Sequence, residues 1–530
     1  MFQPDPSPAA TGVEARPREA AHRRALSAAG ALYQWREVLL DRLVSPPLNP
    51  LYHTGTIAVF SLAVATVTGI YLFLFYRVGT AAAHASIEGI MAHPLGIGAL
   101  MRALHRYSSD AAILAAMLHG GKMLLGDRFW GPRWIGWVTG LSLVALVWVT
   151  GATGYWLVWD AQALVLSVTT ARFLDVLPFF AEPIVHTFAR NDRIQNFLFF
   201  IVLFIHITIP LLIGAMYWLH VMRLARARFF PPRAVLWVTG AALVIASLLR
   251  PALSGAPADP SVLPGVVPVD WFYFPYFPLT RLDPRTGWAI VAGAGAVVFS
   301  LPWLLRGAEP ARATVETVAC TGCTRCYKDC PYDAIVMVER SDGSDCYKTE
   351  AVVNPARCVG CGICVGACDS AGIVLGGQPA RLLVGAVTSR ILAARRAVVR
   401  PAAEAAGAAK TVLVFACRLM PHVESRLGPD GMLEGAPGVT VVGLPCVGMI
   451  HPDVVSGAVA TGADGVYIAG CVPEDCQARE GSELLAQRLA GERLPKLRGV
   501  AEDRVRLEWY SPVEVGRFVR DIVRFQRDLP

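Results

Sequence analysis

The sequence predicts a multidomain chain, in which an all-α bundle of six transmembrane helices precedes an α+β domain and then a small α/β domain with a parallel sheet. Hydrophobic residues make up 54% of the 530 residues and charged residues only 17%, so part of the chain belongs in a bilayer and a wholly soluble enzyme is excluded. None of the 13 cysteines precedes Cys320, so the two parts of the chain differ in kind. The net charge of +7 is spread along the chain, which argues against a nucleic-acid partner.

The membrane block is predicted from stretches without charged residues. Residues 1–30 are rich in Ala, Pro and Arg without an apolar period, and we expect them to form a disordered tail. At about 1.5 Å per residue, runs near twenty residues cross the roughly 30 Å hydrocarbon layer. A further span is expected at 101–125, where Asp110 interrupts the apolar pattern. The five uncharged runs are 43–76, 134–159, 194–222, 234–249 and 286–305.

The distribution of Lys and Arg predicts the orientation of the six spans. The tail and the short turns on its side carry 13 of these residues, and the opposite loops carry 8, so the tail and the short turns should be cytoplasmic. Arg23 and Arg24 form a twin-Arg pair, but no adequate apolar run follows it, which disfavours an export signal. We therefore expect a multi-pass protein of the bacterial inner membrane, with both termini and the cysteine-rich part in the cytoplasm.

Four histidines on two of the spans predict two haem sites. His105 and His119 lie on the second span and His206 and His220 on the fourth, and both pairs are fourteen residues apart. Fourteen residues return to within about 40° of the same helix face and rise about 21 Å, so each helix presents two imidazoles one above the other. Imidazole is a good iron ligand, and an ionisable group inside a membrane is costly enough to indicate function. The alternative is a set of polar histidines satisfied within the bundle.

Glycines at the same spacing on the first and third spans support this interpretation, because glycine lets a flat macrocycle approach a helix backbone. The predicted outer level contains His105, His206, Gly69 and Gly154, and the cytoplasmic level contains His119, His220, Gly55 and Gly140. Arg102 and Lys122 each lie three residues from a proposed ligand. Both are placed to pair with haem propionates, although a lysine reaching to the membrane interface explains Lys122 as well.

On these residues the membrane block, residues 31–306, resembles cytochrome b of the quinol-oxidising respiratory and photosynthetic complexes. The resemblance implies two haem b groups, and it allows a dimer through this domain. Gly154-Tyr155-Trp156-Leu157-Val158-Trp159 is similar to the family's Gly-Tyr-x-Leu-Pro-Trp at the outer quinone pocket, with Val158 where proline is usual. The run from Pro268 to Phe274 is similar to the family's Pro-Glu-Trp-Tyr-Phe loop, with Asp270 near the glutamate and one residue inserted.

The resemblance thus implies a quinone pocket at the outer face, formed by Tyr155, Trp159, Asp270 and Tyr273. We expect the apolar aromatic surroundings to raise the pKa of Asp270 toward working pH, so that it can exchange a proton with the quinone. Two alternatives stay open: an aromatic belt at the membrane interface over Trp271–Phe277 and a solvated loop acid at Asp270.

Two four-cysteine runs predict two iron–sulfur clusters in residues 315–376. Each run has the Cys-x-x-Cys-x-x-Cys-x-x-x-Cys spacing of a bacterial ferredoxin, in which the fourth cysteine binds the other cluster. This spacing predicts a ferredoxin-like domain with two 4Fe–4S clusters; zinc sites and disulfides are the alternatives. Cys346 fits neither cluster and is expected to be a free thiol. The ligand sets are Cys320, Cys323, Cys326 and Cys368 for one cluster, and Cys358, Cys361, Cys364 and Cys330 for the other.

Residues 411–530 predict a small α/β domain with a thiol site, after a linker at 377–410. Three apolar segments, at 411–416, 439–445 and 465–470, are each followed directly by a cysteine. The carboxyl ends of parallel strands meet at one edge of a sheet, where converging thiols suit a 2Fe–2S cluster. Buried core cysteines are the alternative. The four residues concerned are Cys417, Cys446, Cys471 and Cys476.

This part of the chain resembles the iron–sulfur delta subunit of methyl-viologen-reducing hydrogenases. The similar motifs are Gly462–Val466, Gly470-Cys471, Asp475-Cys476 and Glu480-Gly481, whereas Met420 stands where the family often has a further cysteine. Subunits of this kind relay electrons between a hydrogenase or flavoprotein and a heterodisulfide-reductase-like partner.

The sequence therefore predicts a membrane electron-transfer subunit of an oxidoreductase complex. It would link the quinone pool, through the outer haem, the inner haem, the two 4Fe–4S clusters and finally the 2Fe–2S cluster, to a cytoplasmic oxidoreductase or flavoprotein. No Gly-x-Gly-x-x-Gly fingerprint follows a predicted strand, so NAD or flavin is expected on a partner chain. The alternative is a membrane anchor that docks a soluble redox complex without itself reacting with quinone.

Overall fold

The computed structural model describes residues 17–177, 192–259, 261, 267–307, 309–343, 346–376, 378–379, 391, 410–417, 426–428 and 431–530. The N-terminal part is helical. Its helices are α1 (Pro17–Val44), α2 (Thr54–Phe75), α3 (Ala83–Met91), α4 (Ile97–Leu125), α5 (Trp134–Val158), α6 (Ala161–Leu174), α7 (Asp192–Val221), α8 (Arg233–Leu249) and α9 (Pro284–Leu304).

Four helices in the described part of the chain are long and apolar enough to cross a membrane, at Thr54–Phe75, Gly131–Val158, Phe199–Val221 and Pro284–Leu304. Helix α4 has 29 residues and is also long enough, but charged side chains lower its hydropathy. Helix α8, with 17 residues, is shorter than the other spans. The number of six spans therefore stays a prediction, to which α4 and α8 would contribute the last two.

The pairing of the helices places the histidine-bearing helices beside the glycine-bearing ones. Helix α2 packs along α4, and α5 packs along α7. These helices carry large apolar side chains that are exposed, for example Leu74, Met117 and Leu211. Such a surface suits contact with lipid.

The N-terminal residues differ from the expectation of a disordered tail. Residues 17–30 form the beginning of α1, and 1–16 lie outside the described residues. We expected disorder because this segment has no apolar period. The lack of an apolar period indicates that a helix there would have no buried face, but it does not exclude a helix. The Ala, Arg and Glu residues of this segment favour a helix without a buried face.

The cysteine-rich part contains two small antiparallel sheets. Strands β2 (Ile335–Glu339) and β3 (Thr349–Val353) pair with each other, and β4 (Ile373–Leu375) pairs with both β1 (Ala313–Val315) and β5 (Gln378–Pro379). Two short helices, α10 (Arg325–Asp329) and α11 (Ile363–Gly366), follow the first cysteines of each run. Most of the predicted linker at 377–410 lies outside the described residues.

The C-terminal part confirms the predicted parallel sheet. The strand order is β7–β6–β8–β9, with all neighbours parallel. Strands β6 (Val412–Cys417), β7 (Val439–Leu444) and β8 (Gly465–Cys471) match the three predicted segments, and β9 (Val505–Tyr510) adds an edge strand that was not predicted. Three helices cover the sheet, namely α12 (Pro452–Ala460), α13 (Gly481–Leu489) and α14 (Val515–Asp528).

Candidate redox-cofactor sites

The structure brings the four membrane histidines together as two facing pairs. The ring centroids of His105 and His206 are 6.2 Å apart. With each imidazole nitrogen about 2 Å from a shared metal ion, two rings on opposite sides of that ion have centroids about 6 Å apart. Fourteen residues further along each helix, about 21 Å away, the imidazole of His119 on α4 is close enough to that of His220 on α7 for the two rings to interact electrostatically. The spacing of the outer pair therefore fits bis-imidazole ligation of one iron.

Each of the four predicted glycines faces one histidine ring. A Cβ atom added at Gly69 would lie 2.9 Å from Cε1 of His105, and one at Gly154 would lie 3.1 Å from Cε1 of His206. At the other level, the corresponding distances are 3.1 Å from Gly55 to His119 and 3.2 Å from Gly140 to His220. All four are shorter than an ordinary carbon–carbon contact of about 3.5–4.0 Å. Because these four residues are glycines, the space that a side chain would fill is free for the imidazole ring.

Hydrogen bonds to Nδ1 orient the imidazoles. Nδ1 of His105 lies 2.8 Å from the carbonyl oxygen of Ala65, and Nδ1 of His206 lies 2.9 Å from that of Thr150. Because a carbonyl oxygen only accepts, Nδ1 carries the hydrogen in both rings, and Nε2 keeps the lone pair that a metal needs. The chemistry of the donor set therefore fits haem iron.

Threonines next to the glycines were missed by the sequence analysis. Thr68 Oγ1 lies 3.4 Å from Nδ1 of His105, Thr153 Oγ1 lies 3.2 Å from that of His206, and Thr139 Oγ1 lies 2.9 Å from that of His220. The signal was present as a repeated Thr-Gly dipeptide, since all four glycines follow a threonine. All four threonines are buried, namely Thr54, Thr68, Thr139 and Thr153.

The two predicted propionate partners differ. Nη1 of Arg102 is buried and has no hydrogen-bond partner among the described residues, as expected of a cation that awaits an anion such as a propionate. Lys122 instead lies 2.6 Å from Oε1 of Glu37 and 3.0 Å from Oδ1 of Asp475. Two carboxylates of the chain itself therefore surround Lys122, and only Arg102 keeps the expected open position.

Three of the four predicted quinone-pocket residues lie together. The Tyr155 hydroxyl donates to Oδ2 of Asp270 over 2.6 Å, and the rings of Tyr155 and Tyr273 have centroids 6.1 Å apart. Trp159 lies elsewhere, in an apolar cluster where its ring is 5.0 Å from that of Phe199. The cause is local: α5 ends at Val158, and Trp159 adopts a φ of 52°, which takes it off the helix.

At the centre of this group lies Arg106, which the sequence analysis did not identify. Its guanidinium donates to Oδ2 of Asp270 over 2.5 Å, also contacts Asp110 and the Tyr155 hydroxyl, and lies 4.8 Å from the centroid of the Tyr155 ring. Burial alone would raise the pKa of Asp270, but the Tyr155 hydroxyl and the Arg106 guanidinium outweigh burial and hold it below its ordinary value. The expectation of a raised pKa at Asp270 is therefore wrong, because the Tyr155 hydrogen bond and the Arg106 charge both stabilise the carboxylate form.

The eight cysteines of the ferredoxin-type runs line two separate cavities. In the described residues no three His, Cys, Asp or Glu side chains are close enough to ligate a single metal ion. A four-iron cluster needs a wider set, because its ligands bind different irons. One cavity is lined by Cys330, Cys358, Cys361 and Cys364 and the other by Cys320, Cys323, Cys326 and Cys368, which are the two sets expected from the spacing.

The four remaining predicted ligands converge at one edge of the parallel sheet. Sγ of Cys471 lies 3.5 Å from Sγ of Cys417, and Cys446 contacts both Cys417 and Cys476. Cys417, Cys446 and Cys476 are buried, and none of the 13 cysteines forms a disulfide; Cys346 is exposed. A Cβ atom at Gly481 would lie 2.2 Å from Sγ of Cys446, so only glycine fits beside this group. The thiol set suits a small iron–sulfur cluster.

The position of this thiol edge differs from the expected order of the sites. We expected this edge to be the last cofactor site, after the two 4Fe–4S clusters and farthest from the haems. Instead, Asp475, next to Cys476, forms ion pairs with Lys122 and Arg128 of the membrane domain. The edge thus lies against the helical domain, beside the level of His119.

Comparison with known proteins gives a consistent picture. Three protein-family descriptions match in N-to-C order: cytochrome b/b6/petB over 39–228, a 4Fe-4S dicluster domain over 319–371, and the methyl-viologen-reducing hydrogenase delta subunit over 412–530. Cytochrome b6 of Porphyra purpurea is 32% identical over 164 residues, which cover 29% of this chain and 76% of that protein. Cytochrome b6 of Gracilaria tenuistipitata var. liui is 33% identical over 141 residues, covering 25% of this chain and 65% of that protein. A solved hyperthermophilic respiratory Complex III is 19% identical with a TM-score of 0.38, over 48% of this chain and 75% of that one.

Proposed function

Because the chain belongs to the cytochrome b family and continues into a 4Fe–4S dicluster domain and a hydrogenase delta-subunit domain, we propose that it is a membrane electron-transfer subunit linking the quinone pool to a cytoplasmic oxidoreductase. The observation that carries the proposal is the stack of two histidine pairs, each ring facing a glycine. Two b haems, two 4Fe–4S clusters and one 2Fe–2S cluster would supply one-electron carriers when bound.

The residues of the chain hold and orient these groups. His105 with His206, and His119 with His220, would ligate the two haem irons through Nε2. The carbonyl oxygens and threonine hydroxyls at Nδ1 fix the ring planes. The Arg102 guanidinium would pair with a propionate of the outer haem. The three cysteine sets described above would hold the clusters.

The quinone would bind near Tyr155, Asp270 and Tyr273. At this site a quinol hydroxyl can replace the Tyr155 hydroxyl as the donor to Oδ2 of Asp270. The carboxylate is already charged beside Arg106, so it can accept that hydrogen bond without first losing a proton. The Tyr273 hydroxyl belongs to the same group of residues and lies 2.5 Å from Oγ of Ser109. The partly exposed ring of Tyr155 would offer apolar surface to a quinone ring, whereas the ring of Tyr273 is buried.

We further propose six spans in a bacterial inner membrane, with α4 and α8 added to the four apolar helices and with both termini cytoplasmic. The excess of Lys and Arg on the side of the tail supports this orientation. The soluble substrate would then be converted on a partner chain, a hydrogenase, a heterodisulfide-reductase-like protein or a flavoprotein.

One observation favours the alternative of an anchor that does not react with quinone. The Arg106 guanidinium and the Tyr155 hydroxyl both occupy Oδ2 of Asp270, so a quinone must displace one of them. In an anchor that does not react with quinone, the ion pair between Arg106 and Asp270 would stay intact.

Quinol-dependent haem reduction in vesicles of known orientation separates the two functions. We expect added quinol to reduce the haems, and Asp270→Asn to slow the reduction at least tenfold with both haem spectra unchanged. Asp259→Asn is the matched control, since Asp259 is an exposed loop acid whose carboxylate accepts from Ser261, two residues on. If quinol leaves the haems of the wild-type protein oxidised, the anchor is the correct function. If Asp270→Asn reduces at the wild-type rate, the outer pocket is the wrong site.

A further inference from the structure

The cytoplasmic end of α4 and the loop after it contact the C-terminal domain through buried ions. Asp475 Oδ1 lies 3.0 Å from Nζ of Lys122 and 2.9 Å from Nη2 of Arg128. The three side chains are only 19%, 8% and 17% exposed, respectively. Charges taken out of water to this extent are costly unless they are paired, so separating the two domains at this contact would leave buried charges without partners.

A second set of contacts consists of hydrogen bonds to the backbone on either side of Cys476. The Arg133 guanidinium donates to the carbonyl oxygen of Gln477 over 2.8 Å, and the Gln477 amide nitrogen donates to the carbonyl oxygen of Gly126 over 3.3 Å. Arg128 also donates to the carbonyl oxygen of Asp475 over 2.9 Å. The loop between α4 and α5 therefore fixes the segment that carries Cys476 by its backbone as well as by charge.

These contacts place two candidate cofactor sites next to each other. Lys122 and His119 lie on the same helix one turn apart, and Asp475 directly precedes Cys476. Glu37 on α1 closes the other side of Lys122 at 2.6 Å, so the lysine is shared between the membrane domain and the C-terminal domain.

The dicluster domain completes the same surface from the side. The Tyr332 hydroxyl accepts from Arg133 over 3.0 Å and donates to the carbonyl oxygen of Gln477 over 3.2 Å. Cys361 packs against the buried cluster that contains Cys446 and Cys476. In contrast, Cys323 of the other cysteine set is exposed. The thiol edge is thus enclosed by the rest of the chain, whereas the set containing Cys323 reaches the surface.

We propose that the thiol edge of the C-terminal domain is an internal junction with the cytochrome b domain, held there by Asp475, Lys122 and Arg128, and is not the surface that meets an external redox partner. The proposal rests on the proposed function for the identity of the cofactors, but the contact itself requires no quinone. Asp475, Lys122 and Arg128 act as positioning residues. They set where Cys476 lies relative to His119 and do not touch a reacting atom.

Hydrogen–deuterium exchange of the full-length, cofactor-loaded protein tests the junction. We expect Asp475→Asn and Arg128→Gln to speed exchange at least tenfold in both partner segments, 122–133 and 471–480. Asp503→Asn is the control, an exposed acid of the same domain, and it should leave both segments unchanged.

A spectroscopic readout distinguishes positioning from general stability. An oxidised haem nearby speeds the spin relaxation of an iron–sulfur cluster, so the power saturation of the 2Fe–2S signal should shift in Asp475→Asn and in Arg128→Gln and stay unchanged in Asp503→Asn. Wild-type exchange in both single variants overturns the junction, and so does faster exchange in one of the two segments without the other. If exchange behaves as expected but the protein holds no 2Fe–2S cluster, the cofactor assignment fails and the junction stands.

Discussion

Replacing Gly69 by alanine should selectively weaken the binding of the outer haem. The added Cβ would lie 2.9 Å from Cε1 of His105, and an ordinary carbon–carbon contact is about 3.5–4.0 Å. The imidazole must therefore retreat by about 0.6–1.1 Å. A hydrogen bond of 2.8 Å from Nδ1 to the carbonyl oxygen of Ala65 opposes that shift.

The expected size follows from overpacking, which costs about 1–3 kcal/mol at a tight site. The higher helix propensity of alanine stabilises the helix with and without haem alike, so it does not change the haem affinity. The overpacking corresponds to haem binding roughly 5- to 140-fold weaker, at about 1.4 kcal/mol per factor of ten. Gly55 and Gly140 belong to the other level, so the inner haem should keep its affinity.

The assay is a pyridine haemochrome count before and after incubation with an excess of apomyoglobin as haem acceptor. Gly69→Ala should fall toward one haem per chain under conditions in which the wild-type protein keeps two. Gly214→Ala is the matched control on α7, because among the described residues no atom beyond its own helical turn and chain neighbours lies within 4 Å of its added Cβ. A Gly69→Ala protein that retains both haems as firmly as the control would refute the reasoning.

Three further predictions concern the other sites. Cys471→Ser should remove a 2Fe–2S signal in electron paramagnetic resonance and lower the iron content from about ten to about eight atoms per chain, with the 4Fe–4S signals intact; zinc in place of iron would contradict it. The lowered pKa of Asp270 keeps its carboxylate charged down to a pH below its ordinary value, and its protonation would be felt only as the pH falls through that value. The rate of quinol-dependent haem reduction should therefore show no ionisation of Asp270 between about pH 5 and 8, and a profile whose shape changes in Asp270→Asn would contradict it. Arg488→Met should destabilise the iron–sulfur part by about 3 kcal/mol in thermal unfolding, since Arg488 is fully buried and lies 2.5 Å from the buried Asp329. Arg493→Met, at a side chain 34% exposed, should cost about 1 kcal/mol or less, and equal losses in both would exclude a special role for Arg488.

The features that the sequence predicted well are those encoded at short range. The fourteen-residue spacing of His105 and His119 places both rings on one helix face, and a cysteine directly after an apolar segment, such as Cys471, falls at the end of a strand. Each pattern needs only the geometry of one element. The parallel sheet and the helical membrane block follow from the same kind of signal.

The features that the sequence could not supply join residues far apart in the chain. Asp475 meets Arg128 across 347 positions and Arg106 meets Asp270 across 164, and neither pair belongs to a periodic pattern. The misplacement of Trp159 has a different cause. Its position one turn after Tyr155 predicts a shared helix face, but the helix ends one residue too early.

Under the proposed function, the ion pairs of Asp475 with Lys122 and Arg128 also fix the kinetic order of electron transfer between the two domains. Two sites on one chain that are held in contact react as a single molecule, at an effective concentration set by geometry and not by expression level. The rate of electron transfer across this contact should therefore not depend on the concentration of the protein in the membrane. Electron transfer to a separate soluble protein is bimolecular, so its rate would rise with the concentration of that protein. At low concentrations of the soluble protein, this bimolecular step would therefore limit the overall rate.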